Sequence, residues 1–130
     1  MCLLAVGCNN RWEPTDNPAL NEVKQTFSDL PLYPGMVEVD HSASWGNNVS
    51  YGKTYKSSAA YEDVRRFYVD NLTDAGWELA VERPMSDWWR DLGGRFLKFR
   101  RAGYEFSIQY AGKDASYGWN YGIHLEKKRQ

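Results

Sequence analysis

The stretch that most constrains how this chain folds is Ser57 to Trp77, SSAAYEDVRRFYVDNLTDAGW. Its apolar residues Ala60, Val64, Phe67, Tyr68, Leu72 and Ala75 recur every three or four positions, while Glu62, Asp63, Arg65, Arg66, Asp70 and Asp74 fall between them. That spacing puts the first set on one stripe of an α-helix. One amphipathic helix is predicted, with a face that must be buried. Ser57 or Ser58 offers a side-chain oxygen to the free amides at its start, and Gly76 takes the left-handed conformation that ends it. Trp77 then opens a strand.

The flanking residues supply what buries that face. Met36 to His41 and Val49, Tyr51, Lys53 and Tyr55 read as a hairpin turned at Gly46-Asn47-Asn48. After the helix, Trp77, Leu79 and Val81 share one face of a third strand that Pro84 ends, and residues 95–101 form a fourth. Tyr104, Phe106, Ile108 and Tyr110 alternate with Glu105, Ser107 and Gln109, and Trp119, Tyr121, Ile123 and Leu125 alternate with Asn120, Gly122, His124 and Glu126. One apolar and one polar face per strand is the pattern of an antiparallel sheet packed on one side and wet on the other. Turns at Ala102-Gly103 and from Asp114 to Gly118 join these strands as a meander. Upstream, Asn17 reads as a cap and Pro18 as the first position of a short helix reaching about Ser28, with Pro31 as its stop.

The expected fold class is therefore α+β: a single antiparallel sheet of five to six strands with one long amphipathic helix packed on one face, in the order β-β-α-β-β-β-β, preceded by a short N-terminal helix. At 130 residues there is material for one such domain, taken as residues 31–130. Residues 1–8 read as a signal remnant and residues 9–30 as a tether with the short helix. Six Trp, nine Tyr and five Phe mean that the core is built largely from rings.

Charge excludes one class of partner. The net charge is −1, but residues 1–83 carry seven Lys and Arg against twelve Asp and Glu, and residues 84–130 carry nine against five. Around the basic strand, Lys98 and Arg100 share a face with Phe96 while Arg101 shares one with Leu97 and Phe99, so the cations are split. Nucleic-acid binding would need them gathered with aromatics on one face, and no nucleic-acid partner is expected.

Cysteine position bears on address. Cys2 and Cys8 both precede any packed element, which excludes a disulfide framework. Leu3-Leu4-Ala5-Val6-Gly7-Cys8 is a short apolar run ending in a small residue and cysteine, followed by polar Asn9-Asn10-Arg11. It resembles the end of a bacterial lipoprotein signal, in which the cysteine is lipidated and becomes the first mature residue. The resemblance implies lipidation at Cys8 and a lipid-anchored place in the bacterial cell envelope, on the periplasmic or extracellular side. No basic segment precedes the run and it is shorter than a full signal, as a gene start upstream of Met1 would explain. No other stretch approaches the roughly 20 apolar residues of a spanning helix.

A second resemblance covers residues 30–84. Tyr33-Pro34-Gly35 before a hairpin, then Val64-x-x-Phe67-Tyr68-x-x-x-Leu72-x-x-x-Gly76-Trp77, is similar to a pattern met in small uncharacterised bacterial envelope lipoproteins. It implies architecture: a turn, a buried helix stripe and a helix stop. It brings no catalytic residue.

Signatures of catalysis are sparse. Gly93-Gly94 lacks the lysine and helix of a phosphate loop, no histidine pair has metal-ligand spacing, and no cofactor is expected. Ser42, Ser44, Ser57 and Ser58 fit turns and helix starts. Asp40-His41 and His124-x-Glu126 converge only if the first and last strands are neighbours. The stretch the fold does not need is Pro84 to Gly94, PMSDWWRDLGG, read as an eleven-residue link between strands. Its adjacent Trp88 and Trp89, with Arg90, are the residue types most enriched in binding hot spots. The sequence thus reads as a non-enzymatic, lipid-anchored binding module for an envelope protein or membrane component, with Trp88, Trp89, Arg90 and the polar sheet face as candidate contacts. The alternative is a small-ligand carrier with an aromatic cavity between helix and sheet, and after it comes an enzyme using Asp40, His41, His124 or Glu126.

Overall fold

The computed structural model describes residues 17–87 and 90–128. They form α1 (Pro18–Asp29), β1 (Val37–Ser44), β2 (Val49–Lys56), α2 (Tyr61–Asp74), β3 (Glu78–Asp87), β4 (Arg90–Arg101), β5 (Tyr104–Tyr110) and β6 (Tyr121–Lys127). The six strands make one antiparallel sheet in the order β1-β2-β6-β5-β4-β3. The class is α+β, as expected. The short N-terminal helix is present as α1, of 12 residues, and the helix expected to be long is corrected to 14 residues.

Both helix starts follow local chemistry, though not always the expected one. The Asn17 side chain accepts the Leu20 N–H at 3.0 Å, and Pro18 fills the first position of α1. Helix α2 begins only at Tyr61, after Ala60, with no side-chain cap. Ser57 Oγ instead accepts the Ala59 N–H at 3.0 Å, shaping the approach to the helix. Glu62 and Asp63 put negative charge in the first turn, where the helix dipole favours it. The end of α2 matches the prediction. Gly76 has φ of 91° and donates to Thr73 O, while Trp77 N–H reaches back to Leu72 O at 2.9 Å. These two bonds satisfy carbonyls that the helix leaves open.

Both helices cover one face of the sheet. Val23 of α1 and Val64, Tyr68 and Leu72 of α2 join Leu97, Phe99, Phe106, Ile108, Tyr121, Ile123 and Leu125 in one buried core. Phe27 meets Tyr51 edge-on at 5.2 Å, and Tyr68 meets Phe106 at 6.0 Å. The Tyr68 hydroxyl accepts the Tyr33 N–H at 3.2 Å, which ties the Tyr-Pro-Gly turn to α2; burial pushes its phenol pKa up.

The stretch expected to be a link is a hairpin arm. β3 passes through Pro84, which stands opposite Arg95, and pairing continues out to Asp87 opposite Arg90. Proline is tolerated because β3 is the edge of the sheet, where one row of backbone groups needs no partner. Register shifts at Leu79/Val81 and Met85/Asp87 twist this edge, and another at Glu38/Asp40 interrupts the opposite edge. Such bulges discourage edge-to-edge association. The β4–β5 pairing ends at Arg95 opposite Tyr110, so the arm runs beyond the sheet.

Candidate functional site

The face away from the helices is where the chain leaves surface to work with. Register places two rows across it. One runs Ser42, Gly52, His124, Ser107, Lys98 and Val81, and the other runs Asp40, Thr54, Gly122, Gln109, Phe96 and Arg83. Each row contains one glycine, so two adjacent strands put no side chain on the floor there, and both glycines are buried beneath their neighbours. A Cβ on Gly52 would lie 2.9 Å from Ile123 O and 3.1 Å from His124 Cδ2; this glycine permits a close approach. A Cβ on Gly122 would meet only ordinary contacts, with Gln109 Oε1 at 3.4 Å and Trp119 Cζ3 at 3.7 Å.

Trp119 therefore lies on the open face, which corrects its expected place in the alternation with Tyr121. The cause is Asn120. Its backbone N–H donates to Tyr55 O and its carbonyl accepts the Ala111 N–H, each at 2.9 Å. Its side chain accepts the Ser57 N–H at 3.0 Å and donates to Ser57 O at 2.6 Å, pairing like one more rung of the ladder. These four bonds hold the backbone beside Trp119 and start β6 only at Tyr121. Tyr117 is 44% exposed and packs on Trp119 with ring centroids 5.5 Å apart.

Three hollows meet at this ring pair. A groove of about 430 Å³ runs over both glycines between the rings and β1, with Asp40, Ser42, Thr54, Gln109 and His124 on its walls. A hollow of about 220 Å³ lies between the rings and Met85 and Leu92 of the arm. The third, about 530 Å³, opens at the end of the sheet beside Lys56, Ser57, Lys113 and Asn120.

Groups around the groove are held in place. Asp40 Oδ1 accepts the His41 N–H at 2.8 Å, and Gln109 Nε2 reaches Met85 Sδ at 3.6 Å. Desolvation lowers the pKa of His124, with Glu126 opposing and Lys98 reinforcing. Below the groove, Glu105 is buried and clasped by Arg100 at 2.9 Å and Lys98 at 3.1 Å, with Lys128 at 3.8 Å. Burial alone would raise its pKa, but the bonds from Arg100 and Lys98 carry it below the ordinary value. On the other face, Arg101 lies over the Trp77 ring and donates to Ala75 O at 2.7 Å. Much of the basic excess of the second half is thus committed to internal partners.

The histidines do not converge. His41 stands opposite Lys53 and His124 opposite Gly52, so the two occupy opposite faces with β2 between them. The His41 ring sits 6.1 Å from Tyr51, which packs on α1. Among the described residues, no group of three His, Cys, Asp or Glu is placed to hold a metal ion, and no helix is long and apolar enough to cross a membrane. Cys8, Trp88 and Trp89 lie outside the described residues; Arg90 opens β4. Sequence reasoning missed Tyr117, Trp119 and the two floor glycines. The available signal was glycine inside two alternating strands, which marks close approach rather than turning. No family model, curated protein or solved structure matches the chain.

Proposed function

We propose that this protein is a non-enzymatic binding module held at a bacterial envelope by a lipid on Cys8, and that its working surface is the open sheet face around Tyr117 and Trp119. The observation that carries this reading is the ring pair at the junction of three hollows, on a backbone pinned by Asn120. The pair joins the exposed Tyr117 to the half-buried Trp119 beside this backbone; rings held in place bind at little entropic cost, and Tyr and Trp are enriched where binding energy concentrates. Anchoring is supported by the apolar run ending at Cys8 and the polar stretch after it. The eight residues between Cys8 and Asn17 span at most about 30 Å when extended, enough to hold a domain off a bilayer. Trp88, Trp89 and Arg90 stay in the proposal as further partner contacts on the grounds of residue type.

The test has two readings. Intact mass of the gene product, expressed in a bacterial host with the upstream DNA included, should begin at Cys8 and carry acyl chains; an unmodified chain starting at Met1 overturns the anchor. Trp119→Ala should keep the far-ultraviolet spectrum and lose capture of an envelope component. Unchanged capture removes the open face. The second reading, a small-ligand carrier, rests on a hollow of about 240 Å³ between the end of α1 and the sheet, lined by Phe27, Leu30, Tyr55 and Phe106. It ranks second because that volume falls below the roughly 300–1,000 Å³ of ordinary ligand sites.

A further inference from the structure

From the groove over Gly52 and Gly122 we infer that its ligand is a neutral saccharide, one pyranose ring stacking on Trp119 while its hydroxyls meet the groove walls. This rests on the open face being the working surface and names what it takes. The groove, about 430 Å³, lies within the size range of ligand sites. Its floor carries no side chain at two buried glycines, and its end is the half-buried ring of Trp119, whose edge a Cβ of Gly122 would meet at 3.7 Å, with the exposed Tyr117 ring packed on it. The aromatic surface of this ring pair beside a floor without side chains selects a ligand with one apolar face. The walls select the rest. Asp40 and Gln109 Oε1 accept, Ser42 and Thr54 both donate and accept, and His124 offers ring nitrogens.

Charge narrows the class. Lys53 also borders the groove, but its ammonium is engaged by Glu38 at 2.9 Å. The acidic wall at Asp40 opposes phosphate and carboxylate groups, so nucleotides and acidic glycans fit poorly. A pyranose presents C–H bonds on one face and hydroxyls at its edge, the complement of this surface. Laying those C–H bonds on the aromatic pair removes apolar surface of both from water, which favours binding.

The test is a titration of the full chain, labelled with ¹⁵N, against maltotriose, cellotriose and the trimer of N-acetylglucosamine. Saturable shifts of the Gly52, Gly122 and Trp119 signals by one trimer are expected, with dissociation constants of about 0.1–1 mM for so open a site. Trp119→Ala should weaken that binding at least about tenfold, while Trp45→Ala, at the exposed turn between β1 and β2, should leave it unchanged. Absence of shifts by all three trimers up to about 10 mM overturns the inference, as does binding indifferent to Trp119→Ala. Capture from an envelope fraction by the wild type and Trp119→Ala separates the two levels. Trp119-dependent capture without saccharide shifts removes the ligand class and leaves the working surface, whereas loss of both removes the surface as well.

Discussion

Replacing Asn120 by alanine should cost the protein about 1–3 kcal/mol and should loosen the aromatic pair beside it. The magnitude follows from what the side chain holds. It satisfies both backbone groups of Ser57, at 3.0 and 2.6 Å, in a partly buried position. Each such bond contributes about 0.5–1.5 kcal/mol net, and an abandoned partner that water reaches poorly costs at the upper end. For a domain of this size a loss of about 2 kcal/mol lowers the melting temperature by about 6–10 °C. Asn120→Asp sharpens the test. One carboxylate oxygen still accepts the Ser57 N–H, but the other faces the Ser57 carbonyl where an N–H donated before. The ionised form is therefore disfavoured in the folded state and its pKa there is raised above the unfolded value of about 3.9. The penalty is then absent at low pH and grows as pH rises past that value. Thermal melts of wild type, Asn120→Ala and Asn120→Asp at pH 4 and pH 7 read this directly. A fall below about 2 °C for Asn120→Ala, or equal melting of Asn120→Asp and wild type at pH 7, refutes the role given to this side chain.

The two floor glycines should respond differently. Gly52→Ala drives a methyl into Ile123 O and should cost about 1–3 kcal/mol, whereas Gly122→Ala meets only ordinary contacts and should be neutral or stabilising by up to about 1 kcal/mol, by urea denaturation. Gly76→Ala puts a side chain at φ of 91° and should cost about 1 kcal/mol without any clash, its nearest contact being Arg101 Cδ at 3.7 Å. Glu105, Glu82 and Glu22 all have folded pKa values below that of an ordinary glutamate, so their contribution is present above the ordinary value and is lost as pH falls through the lowered ones. Glu105→Gln should flatten the acid limb of a stability-against-pH curve; an unchanged limb contradicts the clasp by Arg100 and Lys98.

Local signals suffice where local chemistry decides. Asn17-Pro18 starts α1 and Gly76 stops α2 because caps depend on a few adjacent residues. The alternation of β5 and β6 shows in the burial of Phe106, Ile108, Ile123 and Leu125. Errors fall where the answer depends on distant strands. Pro84 is an end signal in any strand except at an edge, and only the sheet order makes β3 an edge. Trp119 has the parity of a core residue, but the partner of Asn120 lies 63 positions away at Ser57, and that pairing carries the ring to the other face. The groove was legible only as glycines at odd places, since its walls come from β1, β2, β5, β6 and the turn before β6. The histidine pair failed for the same reason: β2 lies between its strands.

The most direct test of the open face as the working surface is site-specific photo-crosslinking in the bacterial host. A photoreactive side chain is introduced either in place of Tyr117 or in place of Arg66, which is exposed on α2 at the opposite side of the sheet. The account predicts a discrete adduct from the first position, lost on adding Trp119→Ala, and none from the second. Adducts from the α2 position alone, or equally from both, contradict it.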